Sequence, residues 1–222
     1  MDVNLSLKEY IQNSILPMYD NNYIGDSVER IEYVLRRAEE IIQENSLDVN
    51  NNILYTAICC HDIRFDNFEE NHEIKSAKYM LQDAFFNKFF NQNELTIIKE
   101  AIEDQRAQFN GRPRNIYGGI LSSASRNCSI EQCFERSYAY GKKKNPELSD
   151  EQIFENAYEA LNKKFGNNGY AKFYFKDEKY DKFITEIRHL LTNKNKFIAM
   201  HKHYIESKMA WAFLHLLIKN YN

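Results

Sequence analysis

The chain has 222 residues, 43% of them apolar and 27% charged, enough for one well-buried core or a core with a small helical addition. Its formal net charge of -3 provides no global basic field for nucleic acid, and the short basic runs at 141–145 and 193–196 read as solvated surface. No apolar stretch approaches the roughly 18 residues of a membrane span and no N-terminal apolar signal segment is seen, so a soluble cytoplasmic protein is expected.

Only 7 Gly and 3 Pro occur in the chain, which favours long helices over a turn-rich sheet fold. The spacing of Leu7, Tyr10, Ile11, Ile15 and Leu16 predicts a first helix over 5–18, broken by Pro17 and the polar DNNYIGDS. Asp26 or Ser27 can cap a second helix that runs to about Glu44, with Ile31, Val34, Leu35, Ala38, Ile41 and Ile42 on one stripe. After the loop ENSLDVNNN, residues 52–62 predict a helix that is apolar on most sides and therefore buried. A helix from about Glu73 to Phe86 follows, then one opened by Asn93–Glu94 that carries Leu95, Ile98, Ala101 and Ile102. QFNGRPRN is a turn, and Ile116 to Ser125 is a small-residue helix that can pack closely.

Further helices are predicted at 130–140, at 149–164 with Ser149 as N-cap, at Tyr180–Leu191 and at Met200–Asn220. GNNGYAKFYF reads as a loop with a brief extended piece and lacks the spacing of a phosphate-binding P-loop. Cys59, Cys60, Cys128 and Cys133 form no CxxC and read as reduced thiols. The last helix, YIESKMAWAFLHLLIKN, carries an apolar face that must be covered by its own chain or by a second copy, so monomer and homodimer both remain open. The expected class is all-α, a single helical domain with its core at about residues 20–135 and a helical extension at about 136–222.

TAICCHDIRFD, residues 56–66, holds the first chemical signal. Imidazole nitrogen and carboxylate oxygen at His61–Asp62 suit Mn, Fe, Zn or, with less help from His, Mg. Two ligands do not make a site, and a buried, hydrogen-bonded core histidine is the plain alternative.

The surroundings add to that signal. ILPMYDNN, GDSVERIEYVLRRA, YTAICCHDI, NHEIKSAKYM, IKEAIEDQRA, PRNIYGGILSSASRN and KKFGNNGYAKFYF occur in an order and spacing that resembles the HD-domain superfamily, in particular a subfamily of uncharacterised HD phosphohydrolase-like proteins, over nearly all of residues 5–200. The resemblance implies an HD-like helical bundle with additional C-terminal helices. It also implies metal ligands from a histidine, the HD doublet and a later aspartate. The doublet is retained as His61–Asp62, and a further histidine as His72. The family's ligand histidine falls on Arg30 here, a nearby histidine on Asp26, another on Gln105, and the distal aspartate on Ser125. Arg126 and Asn127 are retained.

A guanidinium stays protonated and offers no lone pair, so Arg30 cannot replace an imidazole ligand. Two arrangements follow for Arg30. It can pair with Asp62, held from behind by Asp26, or it can turn to solvent and leave Asp26 as a helix cap. Lys75, Arg106 and Arg126 are further cleft candidates, each with a surface reading beside it, and His72 can anchor a loop instead of binding an ion. The substitutions point to a protein that has lost metal-dependent hydrolysis, needs no cofactor and keeps a positive cleft for a phosphate-bearing small molecule, a nucleotide or a protein partner. The alternative is an active hydrolase of a nucleotide or phosphate ester, with His61 and Asp62 holding a divalent Mn, Fe, Zn or Mg ion. A third reading is a helical module that binds a partner through its C-terminal apolar helix.

Overall fold

The computed structural model of the chain describes residues 1–19, 28–63, 71–109 and 111–220, with side chains as far as residue 211. The helices are α1 (Leu5–Tyr10), α2 (Val28–Glu44), α3 (Asn51–Cys60), α4 (His72–Gln82), α5 (Gln92–Glu103), α6 (Ile116–Ala124), α7 (Ile130–Lys144), α8 (Asp150–Phe165), α9 (Glu178–Leu191) and α10 (Lys194–Asn220). Among the described residues there is no strand, so the fold is all-α. α1 continues through a π-helical turn, Ile11–Ile15, into a 3-10 turn, Leu16–Tyr19. Pro17, which lacks an N–H, sits in that last tightened piece.

The packing groups the chain into two compact units that change over at Arg126–Asn127. The apolar face of α7, with Cys133, Phe134 and Tyr138, is buried with α8 and α10. The first unit is Met1–Arg126 with Lys172–Asp177; the second is Asn127–Ala171 with Glu178–Asn222.

In the first unit α3 is the central helix. Every residue from Ile53 to Cys60 is buried, as an all-round apolar helix requires, and α2, α4, α5 and α6 pack around it. α2 contributes its predicted stripe, with Ile31, Val34, Ala38 and Ile41 buried. Gly118 lets α6 approach α5: a Cβ there would lie 3.3 Å from the Ala101 Cα. Asn91 starts α5 with a capping box in which its side chain accepts from the Glu94 amide and the Glu94 carboxylate accepts from the Asn91 amide.

The short segment Lys172–Asp177 straps across this unit. Asn45 and Lys176 exchange two hydrogen bonds, at 2.8 and 3.0 Å. The Tyr174 amide donates to Ser123 Oγ at 3.3 Å, and the Phe175 ring fills the space that Gly119 leaves. Asp177, buried, pairs with buried Arg37.

In the second unit Phe134, Phe154, Phe165, Phe183 and Phe197 are buried together with His201. Ser149 caps α8 as predicted, in a capping box with Gln152. α10 begins six residues earlier than the predicted Met200, because Asn193 Oδ1 accepts from the Lys196 amide at 3.0 Å. The side chains that would form most of the expected apolar face of α10 lie outside the described residues; before them, Met209 and Trp211 are exposed. No helix is long and apolar enough to cross a membrane among the described residues.

Candidate functional site

The last turn of α3 leaves its carbonyls without intrahelical donors, and side chains supply them. The His61 ring turns back so that Nδ1–H donates to the Ile58 carbonyl at 2.6 Å. In a continued helix that carbonyl would receive the Asp62 amide. The Asp62 amide instead donates to the Tyr19 hydroxyl at 3.2 Å, and Tyr19 donates to the Cys59 carbonyl at 3.0 Å. The helix therefore ends at the His–Asp doublet, as its position in the sequence predicts, and each residue of the doublet is held by one of these bonds.

Asp62 is the hub of the site. Its Oδ2 lies 3.0 Å from His61 Nε2, and its Oδ1 lies 3.2 Å from His72 Nε2. Gln105 Nε2 donates to the same Oδ1 at 3.0 Å. A carboxylate only accepts, so His61 carries a proton on both nitrogens in this arrangement. Burial pulls the His61 titration down. The Asp62 charge and hydrogen bond and the Ile58 carbonyl more than offset it and raise His61 above 6.5, while the Arg30 charge works the other way. Burial raises Asp62, but His61 and His72, by charge and hydrogen bond, bring it well below 3.8.

His72 begins α4, entered through Asn71 in the left-handed region at φ 66°. Its Nδ1 lies 3.6 Å from Glu73 Oε2, and Arg106 Nη1 reaches Glu73 at 3.4 Å. Gln105 and Arg106 leave from a clamped base. Fully buried Asp104 accepts from the Arg114 amide at 2.7 Å and from its guanidinium at 2.7 to 3.1 Å. The clamp holds the chain that places Gln105 over Asp62.

Arg30 and Ser125 lie beside one another. The Arg30 guanidinium donates to the main-chain carbonyl of Ser125 and sits 4.8 Å from the Tyr33 ring centroid. Tyr33 donates in turn to the Arg126 carbonyl at 3.1 Å, and Arg126 Nη2 donates to Ser122 Oγ at 2.7 Å. Ser125 Oγ is buried and has no hydrogen-bond partner among the described residues.

His61, Asp62, His72 and Gln105 thus come together, and Arg106 joins them through Glu73. Arg30, Ser125 and Arg126 form a second cluster whose charge reaches His61. Lys75 is exposed on α4. Asp26 lies outside the described residues. Of the contacts open to Arg30, the described residues show its guanidinium on the Ser125 carbonyl. Two imidazoles and an amide already surround the Asp62 carboxylate, and the Ser125 carbonyl takes the guanidinium. Tyr19, Glu73 and Ser122 were not singled out as site residues by sequence reasoning. Only Glu73 carried a signal, as the acidic neighbour of His72.

No protein-family model, no curated protein and no solved structure matches the chain.

Proposed function

We propose that the chain is an HD-domain-like protein whose metal site has become a charge-and-hydrogen-bond site, and whose cleft binds a phosphate-bearing small molecule without metal-dependent hydrolysis. The observation that carries this reading is the bond from Arg30 to the Ser125 carbonyl. Two of the positions at which the resemblance expects an ion's ligands, Arg30 and Ser125, are tied directly to each other. One is a permanent cation and the other a neutral hydroxyl. The remaining donors are spent as well: His61 with both nitrogens engaged has no lone pair to give, and Asp62 accepts from His61, His72 and Gln105. This set does not fit a divalent ion.

The charge balance supports an anionic ligand. Arg30, Arg106 and Arg126 bring three guanidinium groups to the described site, beside a doubly protonated His61. Guanidinium groups are well matched to phosphate oxygens by geometry and charge. Buried thiols agree with a reducing cytoplasm: all four cysteines are free, and burial pushes Cys59 up to about 12.

The second reading, an active hydrolase, draws on one feature. A His61 Nδ1–H bonded to a carbonyl is also how a histidine is oriented to offer Nε2 to an ion. Calorimetric titration with inorganic phosphate and pyrophosphate, alongside phosphate release from an aryl phosphate in the presence of Mn, separates the two. Binding without turnover, weakened about tenfold by Arg30→Gln, is expected. Metal-dependent turnover that vanishes in Asp62→Asn would replace this reading with the second.

A further inference from the structure

We propose that Tyr19 is a positioning residue of this site: its hydroxyl, held between the Cys59 carbonyl and the Asp62 amide, sets the backbone from which the Asp62 carboxylate reaches both imidazoles. The proposal rests on the reading of Asp62 as the hub of the cleft. Tyr19 acts through Asp62 and is not itself a ligand contact.

The geometry is specific. Tyr19 is 2% exposed, the last residue of the 3-10 turn that follows α1, and comes from a part of the chain remote from α3 in sequence. Its hydroxyl uses both of its capacities. It donates to Cys59 at 3.0 Å and accepts from Asp62 at 3.2 Å. These are a carbonyl and an amide that the end of α3 leaves to outside partners. The imidazole of His61 takes the Ile58 carbonyl, so the two side chains replace the next helical turn around the doublet. Burial, and then the Asp62 charge, hold the Tyr19 hydroxyl in its protonated, donating form.

A tyrosine here costs more than a phenylalanine unless the hydroxyl is used. A buried hydroxyl without partners is unfavourable, and Phe would fill the same apolar space. The hydroxyl is therefore explained by the backbone groups it holds. The ring alone serves the core with Ile11 and Ile15.

The test is Tyr19→Phe in the full chain, which keeps the ring. Amide hydrogen exchange and the imidazole N–H proton signals of His61 and His72 are read by NMR. The expected result is an Asp62 amide that exchanges about tenfold faster relative to the Ile58 amide, with shifted or broadened imidazole N–H signals. A purely structural hydroxyl would speed all α3 amides together and leave those signals in place. That outcome, or an unchanged Asp62 amide, overturns the proposal. Asp62→Asn serves as the second variant: it keeps the backbone amide, so protection at residue 62 should persist while the imidazole signals move. Loss of protection there would also count against Tyr19 as the anchor. Phosphate titration of the unaltered chain is run in parallel. A chain that fails to bind phosphate, yet shows the exchange result, retires the ligand class and keeps the role of Tyr19.

Discussion

His61 and His201 are both buried, at 2% and 0% exposure, yet their titrations move in opposite directions. In the first unit His61 meets a carboxylate on one nitrogen and a carbonyl on the other, and rises above 6.5. In the second unit His201 lies in an aromatic box. Its ring stacks on Phe134 with centroids 4.4 Å apart and meets Phe154 edge-on at 4.8 Å. Nε2–H donates to the Phe134 carbonyl at 2.9 Å, while Nδ1 has no partner among the described residues. Burial there, only partly opposed by the carbonyl, lowers His201 to about 4. Burial penalises the charged form in both places, and the neighbour decides which form is kept. The first unit spends a histidine on charge. The second spends one as a polar-edged aromatic.

Removing the carboxylate should break the contrast most. Asp62→Ala leaves His61 buried beside Arg30 with no counter-charge, so His61 should fall below 6.5 and behave as His201 does. The unpartnered histidine should cost roughly 4 kcal/mol in a denaturant titration, because breaking a buried pair strands the remaining group. An unchanged His61 titration in that variant would show that Asp62 is not its partner in solution.

Acid should separate the two units next. His201 is depressed in the folded chain, so the unfolded chain binds its proton first. Stability from His201 is full above about 6.5 and drains away as pH falls toward about 4, by roughly 3 kcal/mol in all. His61 is raised, so its contribution is full below 6.5 and is lost as pH rises through its folded value. The Asp62 contribution is full above 3.8 and is lost as pH falls from there through a folded value well below it. Hydrogen exchange at pH 4.5 should therefore deprotect the α7 and α10 core amides while α3 stays protected. His201→Phe should remove that acid sensitivity, at a cost of about 1 kcal/mol for the carbonyl it abandons. Equal loosening of both units would contradict the contrast.

The smallest effect should come from Gln105→Leu, which removes one neutral donor from Asp62. About 1 kcal/mol is expected, with the Asp62 titration moving up while His61 stays raised. Carbon-detected NMR of the carboxyl against pH would show it.

Much of this fold was legible in residue spacing. The α2 stripe, the all-round apolar α3 and the Ser149 cap follow from local rules that no tertiary contact overrides. The boundaries that differ have tertiary causes. α4 stops at Gln82 and not near Phe86 because Asp83 takes the Tyr10 hydroxyl at 2.5 Å and the Phe85 amide at 3.0 Å, and Tyr10 stacks on Phe85 with centroids 3.7 Å apart. The site was legible as a set of residues and not as a set of bonds. Reading side chains alone offered Arg30 either Asp62 or solvent, but a backbone carbonyl has no letter in the sequence, and Ser125 offers one. Tyr19 reads as an apolar core residue, and its hydroxyl shows its use only when the end of α3 is in view.

Under the proposed reading, the Arg30–Ser125 bond occupies a place where the resemblance expects an ion's ligands. Metal per chain, measured after incubation with Mn or Fe(II) and removal of the excess, tests it directly when the unaltered chain is compared with Arg30→His combined with Ser125→Asp. Far less than one bound ion is expected for the unaltered chain and close to one for the double variant. One tightly bound ion in the unaltered chain, lost in Asp62→Asn, would contradict that reading.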